Sequence, residues 1–478
     1  MTATSLDPDD WSELRLQGHR MLDDMFDHLQ SLRDRPVWSP PPAQARERFR
    51  EPLPQGPSGL ADVHAGFLRD ILPYGGGNLH PGFMGWVQGG GSPVGMLAEM
   101  LAAGLNANLG GRDHMPVEVE RQVLEWTRGM FGFPAGASGL FVTGASTANF
   151  IGVCIARTRA LGVQARRTGL PDGHGLVAYA ARTAHGCVAR AMEMAGIGSD
   201  RLRLIGVDAL HRIRLDELEA AIAADRAAGL RPFLLVGSAG TVDVGAIDDL
   251  HGLADIALRE DIAFHVDGAL GALGVLSPQV APRLAGIERA DTLALDFHKW
   301  GQAPYDAGFL LARDEALHRA TFAAEAAYLS RADRGLAAGE RWPCDYGPDL
   351  SRGFRALKVW FTLKTYGAAA LGDAIARTCD LAEALGRRVE ACQDLELLAP
   401  VQLNIVCFRH RGGDPDRLNA GMVADLQEAG RVAPSLTRID GRAAMRAAIV
   451  NHRTDERDLD ALVASVLELG RKAHPRAA

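Results

Sequence analysis

Residues 292–300 read TLALDFHKW, an apolar run that passes straight into Asp296, His298 and Lys299. An apolar run without alternation fits a strand covered on both faces, the condition of a mostly parallel sheet lying between helices. The same pattern recurs on either side of it. Strand candidates are GLFVTG (139–144), GLVAYA (175–180), RLRLIGV (201–207), PFLLVGS (232–238), IAFHVDG (262–268), TLALDFH (292–298) and AGFLLAR (307–313). Between them lie helical stretches such as DELEAAIAADRAAG (216–229), with Asp216 placed to cap and Gly229 to terminate it, and DDLHGLADIALRED (248–261). The alternation over about 138–312 predicts an α/β unit.

The flanks differ. Leu14, Met21, Leu22, Met25, Phe26 and Leu29 recur at helical spacing within 9–34, and Pro36, Pro40, Pro41 and Pro42 then impose an extended connector. Such a helix and arm cannot bury themselves alone and are expected to lie across another surface, that of a second subunit included. After about 365 come a helix, a strand LNIVCFRH (403–410), a helix around 415–429, a strand near AAMRAAIVN (443–451) and a last helix from Asp455. The expected division is an N-terminal helical and proline arm (1–79), a large α/β domain (80–365) and a small C-terminal α+β domain (366–478).

Composition narrows the function classes. The 478 residues are 47% hydrophobic and 23% charged, as in an ordinary globular protein, and the net charge of -8 with scattered arginines marks no nucleic-acid or anionic-membrane surface. Six cysteines form no CxxC pair, which fits reduced thiols. The N-terminus MTATSLDPDDWSELR lacks the basic and apolar regions of a signal peptide. The most apolar helical segment, PVGMLAEMLAAGL (93–105), is interrupted by Glu99 and is shorter than the about 20 residues of a membrane span. A cytoplasmic protein is expected.

In an open parallel sheet, ligands sit beyond the carboxyl ends of the strands. TGAST (143–147) follows one strand and opens a helix, so its backbone N–H groups and the Ser146 and Thr147 hydroxyls can hold a phosphate, although no GxxxxGK[ST] motif specifies a nucleotide. His185 starts the helix after GLVAYA, Asp267 ends IAFHVDG, and Lys299 ends TLALDFHK. Singly, each has an ordinary reading: a surface histidine, a helix cap, a lysine that snorkels outward, with His298 a satisfied core histidine. Together, phosphate cradle, carboxylate, histidine and lysine suggest pyridoxal phosphate. A lysine amine forms a Schiff base with its aldehyde, a carboxylate keeps its pyridine nitrogen protonated, and an imidazole stacks on its ring.

Seven segments extend this pattern: HPGFMGWV (80–87), FVTGASTAN (141–149), TAHGCVARAMEMAGIG (183–198), SAGTVDVGAIDDL (238–250), HVDGALGA (265–272), DFHKW (296–300) and SRGFRALKVWFTLKTYG (351–367). On them the chain resembles the group II pyridoxal phosphate-dependent decarboxylases, which include aromatic L-amino-acid, glutamate, histidine and tyrosine decarboxylases. The resemblance covers most of the chain. It implies a fold-type I PLP-dependent transferase-like architecture, with a seven-stranded mostly parallel sheet, and a homodimer with shared active sites. It also implies that Lys299 carries the cofactor aldehyde, Asp267 pairs with the pyridine nitrogen, and Ala269 and His185 pack on opposite faces of the ring. Thr241 matches a threonine near the phenolic oxygen and the substrate carboxylate, while Ala145, Ser146, Thr147 and His298 match the phosphate-binding neighbourhood. Asp296 stands where several members carry asparagine, and a carboxylate there can bind a backbone group or tune the phosphate. Tyr328 in AAYLSRADRG takes the place of a mobile-loop tyrosine that, in the aromatic enzymes, enters the neighbouring subunit's site and protonates the α-carbon. Relatives with phenylalanine there tend to make aldehydes oxidatively.

For the substrate, Phe83, Met84 and Trp86 fall where aromatic decarboxylases keep pocket residues, and Ser351 falls where plant relatives differ between indolic and phenolic substrates. The residues around 83–86 equally fit core packing. GLNANLGGRDHMPVE (104–118) departs from the aromatic enzymes by placing Asn106, Asn108, Arg112, Asp113 and His114 near the expected pocket, so Arg112 can receive an acidic side chain or Asp113 a basic one. The expectation is α-decarboxylation of an L-amino acid, aromatic first, to its amine and CO2, without a metal. The rivals are oxidative decarboxylation-deamination or transamination on the same cofactor, a metal-dependent hydrolase built on His265, Asp267 and His298, and a non-catalytic PLP-binding regulator.

Overall fold

The computed structural model describes residues 5–323, 331–339 and 341–473. Its strands are β1 (Phe83–Met84), β2 (Ser138–Val142), β3 (Leu176–Ala181), β4 (Leu202–Ile205), β5 (Arg231–Ser238), β6 (Ala263–Asp267), β7 (Thr292–Asp296), β8 (Gly308–Ala312), β9 (Leu395–Leu397), β10 (Ile405–His410), β11 (Ala433–Ile439) and β12 (Arg442–Ala448). Strands β2 to β8 form one sheet in the order β2-β8-β7-β6-β5-β3-β4. Only β8 runs against its neighbours, pairing antiparallel with β2 and β7, while the other four pairings are parallel. The seven strands expected from sequence are these seven, and no end moves by more than two residues.

Continuous apolar runs follow from burial on both faces. On β3, Val177, Tyr179 and Ala181 enter one core, and Leu176, Ala178 and Ala180 enter the other, packed under helices Ala145–Leu161 and Cys187–Met194. On β5, Leu235 and its neighbours Leu234 and Val236 divide in the same way. Helix Leu215–Ala227 departs from its expected start. Arg214 occupies the N-cap position, and Asp216 lies in the first turn paired with Arg214, where its charge still favours the helix N-terminus.

A second sheet, in the order β1-β11-β12-β10-β9, is antiparallel except between β1 and β11. The long helix Arg355–Glu390 leads into it and is broken at Gly367, whose φ of +79° is left-handed. The N-terminal helix Trp11–Gln30 is capped by Asp10 and buries none of its residues; Trp11 is 63% exposed. The connector after it docks on the second sheet's lobe of its own chain. There the Val37 N–H donates to the Gly430 carbonyl (2.7 Å), and the Val37 side chain is buried against Phe83 and Ala433. Among the described residues no helix is long and apolar enough to cross a membrane.

Candidate active site

A cavity of about 420 Å³ opens at the carboxyl ends of the parallel strands, bounded by Ala145 and Ser146 at a helix start, His185, Thr241, Asp267, Ala269, Asp296, His298 and Lys299. The topology explains the convergence. These side chains follow the ends of five strands of one sheet, β2, β3, β5, β6 and β7, and parallel strands deliver their carboxyl ends to one rim. Thr147 lies one position further along the helix and is not part of the wall; its hydroxyl pairs with that of Thr143 (3.0 Å).

Asp296 is the buried hub of one side, at 3% exposure. Its Oδ1 accepts the Ala145 N–H (2.8 Å), the first residue of helix Ala145–Leu161, and its Oδ2 lies 2.8 Å from Lys299 Nζ. The carboxylate therefore binds a backbone group and also holds the lysine at the rim. Strand β7 ends at Asp296, and Lys299 sits three residues later in the following turn. His298 is buried against Tyr305, with ring centroids 4.3 Å apart. Its Nδ1 accepts the Ala307 N–H (2.9 Å), so the neutral ring carries its proton on Nε2, 3.6 Å from Asp296 Oδ1. Burial pushes the His298 imidazole below its ordinary pKa, and the nearby Asp296 charge opposes that shift. The close approach of β8 to the helix start requires a glycine. A Cβ on Gly308 would lie 2.3 Å from Gly144 Cα.

Asp267, 8% exposed, ends β6. Its Oδ1 accepts the Ala269 N–H (3.2 Å), and the Cys187 thiol faces its Oδ2 at 3.8 Å. His185 is exposed at the cavity edge and precedes helix Cys187–Met194 by two residues; its Nδ1 accepts the Cys187 N–H (3.2 Å), which turns Nε2 away from the backbone. The Thr241 hydroxyl oxygen accepts the Ala246 N–H (3.0 Å), leaving the hydroxyl proton free to donate.

The substrate-side expectations divide. Trp86 lines the cavity with Val87 and Gln88. Phe83 and Met84 lie in β1 and are buried in core clusters instead, while Ser351 is exposed and away from this cavity wall. Arg112 stacks on the Trp342 ring (4.4 Å), and Asn108 accepts backbone N–H groups of Gly110 and Arg352. Tyr328 lies outside the described residues. Sequence reasoning missed Cys187, Tyr305 and Arg446. Arg446, on β12, is buried, and burial lowers its pKa. It donates to the carbonyls of Trp86 (3.0 Å), Asp243 (3.2 Å) and Val242, tying the loop after β1 and the loop after β5 together from the second sheet. Its signal in the sequence was an arginine within an otherwise apolar strand, AAMRAAIV.

Amine, carboxylate, helix start and imidazole on one cavity suit a phosphorylated pyridine aldehyde. The residues of the hydrolase alternative are otherwise engaged. Both ring nitrogens of His265 face protein partners, and among the described residues no three His, Cys, Asp or Glu side chains are placed to share a metal ion.

Comparison with known proteins agrees. Residues 42–411 match the pyridoxal-dependent decarboxylase conserved domain, and the chain belongs to that family of pyridoxal phosphate-dependent amino-acid decarboxylases. It is 32% identical to the aromatic-L-amino-acid decarboxylase of Bacillus atrophaeus, over 94% of this chain and 93% of the other. It is 28% identical to the phenylacetaldehyde synthase of Arabidopsis thaliana, over 95% of this chain and 94% of the other. The crystal structure of Catharanthus roseus tryptophan decarboxylase in complex with L-tryptophan superposes with a TM-score of 0.87, at 26% identity, covering 98% of this chain and all of that one.

Proposed function

We propose that the protein removes the α-carboxyl group of an aromatic L-amino acid as CO2 and releases the amine. The observation that carries this is the meeting of Lys299, Asp267 and the Ala145–Ser146 helix start on one cavity whose further walls include Trp86, Leu270 and Tyr305. Pyridoxal phosphate, when bound, supplies an electron-accepting ring for the pair left behind by the departing carboxylate. The chain's own groups do the rest. Lys299 offers the amine that binds the aldehyde, and Asp296, 2.8 Å from it, positions that amine and can take a proton from it. Asp267 holds a proton on the pyridine nitrogen. The helix start at Ala145 and Ser146, with the N-terminal end of the helix dipole, holds the phosphate. With the cofactor bound, His185 would cover the ring, and the Thr241 hydroxyl would offer its one proton to the phenolic oxygen or the substrate carboxylate. Tyr328 returns a proton to the α-carbon, which favours amine over aldehyde.

The same reading takes the protein as a cytoplasmic homodimer with shared sites. Supporting it are six free thiols and large apolar side chains left exposed on three helices, Trp11 and Leu16 on Trp11–Gln30, Met100 and Leu105 on Pro93–Leu105, and Met115 on Met115–Met130. The kink at Gly367 supports a boundary between the large and small domains near 365. The test is incubation of the purified, cofactor-loaded protein with each proteinogenic amino acid, scoring amine, CO2, ammonia and hydrogen peroxide together. An aromatic amine with CO2 is expected. Peroxide and ammonia as the main products replace this reading with the oxidative one.

A further inference from the structure

Behind Asp267 runs a file of buried polar side chains that the decarboxylation chemistry does not itself use. His265 precedes Asp267 by two positions on β6 and so shares its face. Its Nδ1 lies 2.7 Å from the hydroxyl of Thr292, its register partner on β7, and its Nε2 lies 2.5 Å from Asn149 Oδ1 on helix Ala145–Leu161. Asn149 Nδ2 donates to Cys187 Sγ (3.2 Å), and Sγ faces Asp267 Oδ2 (3.8 Å). Thr292, His265, Asn149 and Cys187 are all buried. The imidazole has room only because residue 152 is glycine, where a Cβ would lie 2.7 Å from His265 Nδ1.

The protonation states fix the direction of this file. Burial pushes His265 down to about 4 and the Cys187 thiol up to about 12, so near neutral pH the ring carries one N–H and the sulfur keeps its S–H. An amide oxygen only accepts, so the ring hydrogen sits on Nε2 and points at Asn149, and Nδ1 accepts from the Thr292 hydroxyl. The Asn149 amide nitrogen then donates to sulfur, and a Ser146 hydrogen bond reaches the same thiol. The S–H is left for the carboxylate. Every donor in the file points toward Asp267.

We propose that Cys187 is a positioning residue for Asp267: its S–H, oriented by Thr292, His265 and Asn149, holds Oδ2 and keeps the carboxylate aimed at the pyridine nitrogen of bound pyridoxal phosphate. The proposal rests on the decarboxylase reading. It makes the thiol a donor that a hydroxyl can replace and a methyl group cannot.

The test compares wild type with Cys187→Ser and Cys187→Ala. Cofactor-stripped protein is titrated with pyridoxal phosphate by absorbance, and kcat and KM of the reloaded enzymes are measured on the best amino acid. One hydrogen bond to a charged group corresponds to a loss of about tenfold. Cys187→Ala is therefore expected to raise the cofactor Kd and lower kcat by about that factor with KM little changed, while Cys187→Ser returns both to within about twofold of wild type. If Cys187→Ala matches wild type in both, or Cys187→Ser is as impaired as Cys187→Ala, the positioning role is overturned. A wild-type protein that binds no pyridoxal phosphate, or binds it and decarboxylates nothing, instead overturns the reading beneath it.

Discussion

Asp267 and Asp296 end adjacent parallel strands and face one cavity, yet the protein holds them differently. Asp296 has a backbone N–H on one oxygen and the Lys299 amine on the other. Asp267 has only a loop N–H at 3.2 Å and a weak thiol donor, leaving lone pairs of both oxygens for a ligand. One carboxylate is committed to the protein, the other kept for chemistry. Each is also followed or preceded, two residues away, by a buried neutral histidine: His265 before Asp267, His298 after Asp296.

The largest effect on catalysis should come from removing charge at the ligand-facing position. Asp267→Asn is expected to lower kcat/KM by about 1,000-fold, about 4 kcal/mol of transition-state stabilisation. Asp296→Asn keeps an acceptor for the Ala145 N–H and is expected to cost only about tenfold. Steady-state decarboxylation by both variants checks the contrast. Equal losses would break it, because the two carboxylates would then do equivalent work.

The contrast was only half visible in the sequence. All seven strands of the main sheet were legible because burial on both faces writes them as unbroken apolar runs, and strand ends in a parallel sheet mark a rim. The second sheet was less so. Strand β11, APSLTRI, carries an exposed Leu436 and polar Thr437 and Arg438, and β1 has two residues, so neither gives a periodic signal. Their position fixes the site nevertheless. Pairing of β1 with β11 turns Phe83 and Met84 into core and leaves Trp86 at the cavity, and β12 delivers Arg446 across 360 residues of chain to the Trp86 carbonyl. Contacts of such separation are set by tertiary packing, which a linear pattern does not encode. The partners of Asp296 belong to the same class, since Ala145 lies 151 residues away.

Acidification sharpens the comparison between the two histidines. Burial lowers His265 to about 4, with the Asp267 charge opposing but not cancelling it, whereas His298 has Asp296 at 3.6 Å to favour its charged form. NMR titration of the imidazole signals is expected to show His298 protonating at higher pH than His265. Stability follows the same sign. An unfolded imidazole binds its proton near the ordinary value of 6.5, so between 6.5 and about 4 the unfolded chain holds a proton that folded His265 lacks. Stability is therefore lost as pH falls through that window, by about 1.4 kcal/mol per pH unit for each such group, with His318 and His452, both near 4, adding to it. Denaturant midpoints that stay flat from pH 6.5 to 4.5 would refute this.

The smallest effect distinguishes the two carboxylates by stability alone. Asp296→Ala leaves the buried Ala145 N–H without its acceptor and the Lys299 amine without its partner, and one buried group stripped of its partner costs about 1–3 kcal/mol. Asp267→Ala removes an acceptor only from the Ala269 N–H and a thiol, both beside an open cavity that water can enter, so about 1 kcal/mol or less is expected. In cofactor-stripped protein, where ligand binding adds nothing to the folded state, denaturant unfolding should give midpoints in the order Asp267→Ala above Asp296→Ala, with Asp296→Asn between wild type and Asp296→Ala. The reverse order would mean that Asp267, and not Asp296, is the carboxylate on which the rim is built.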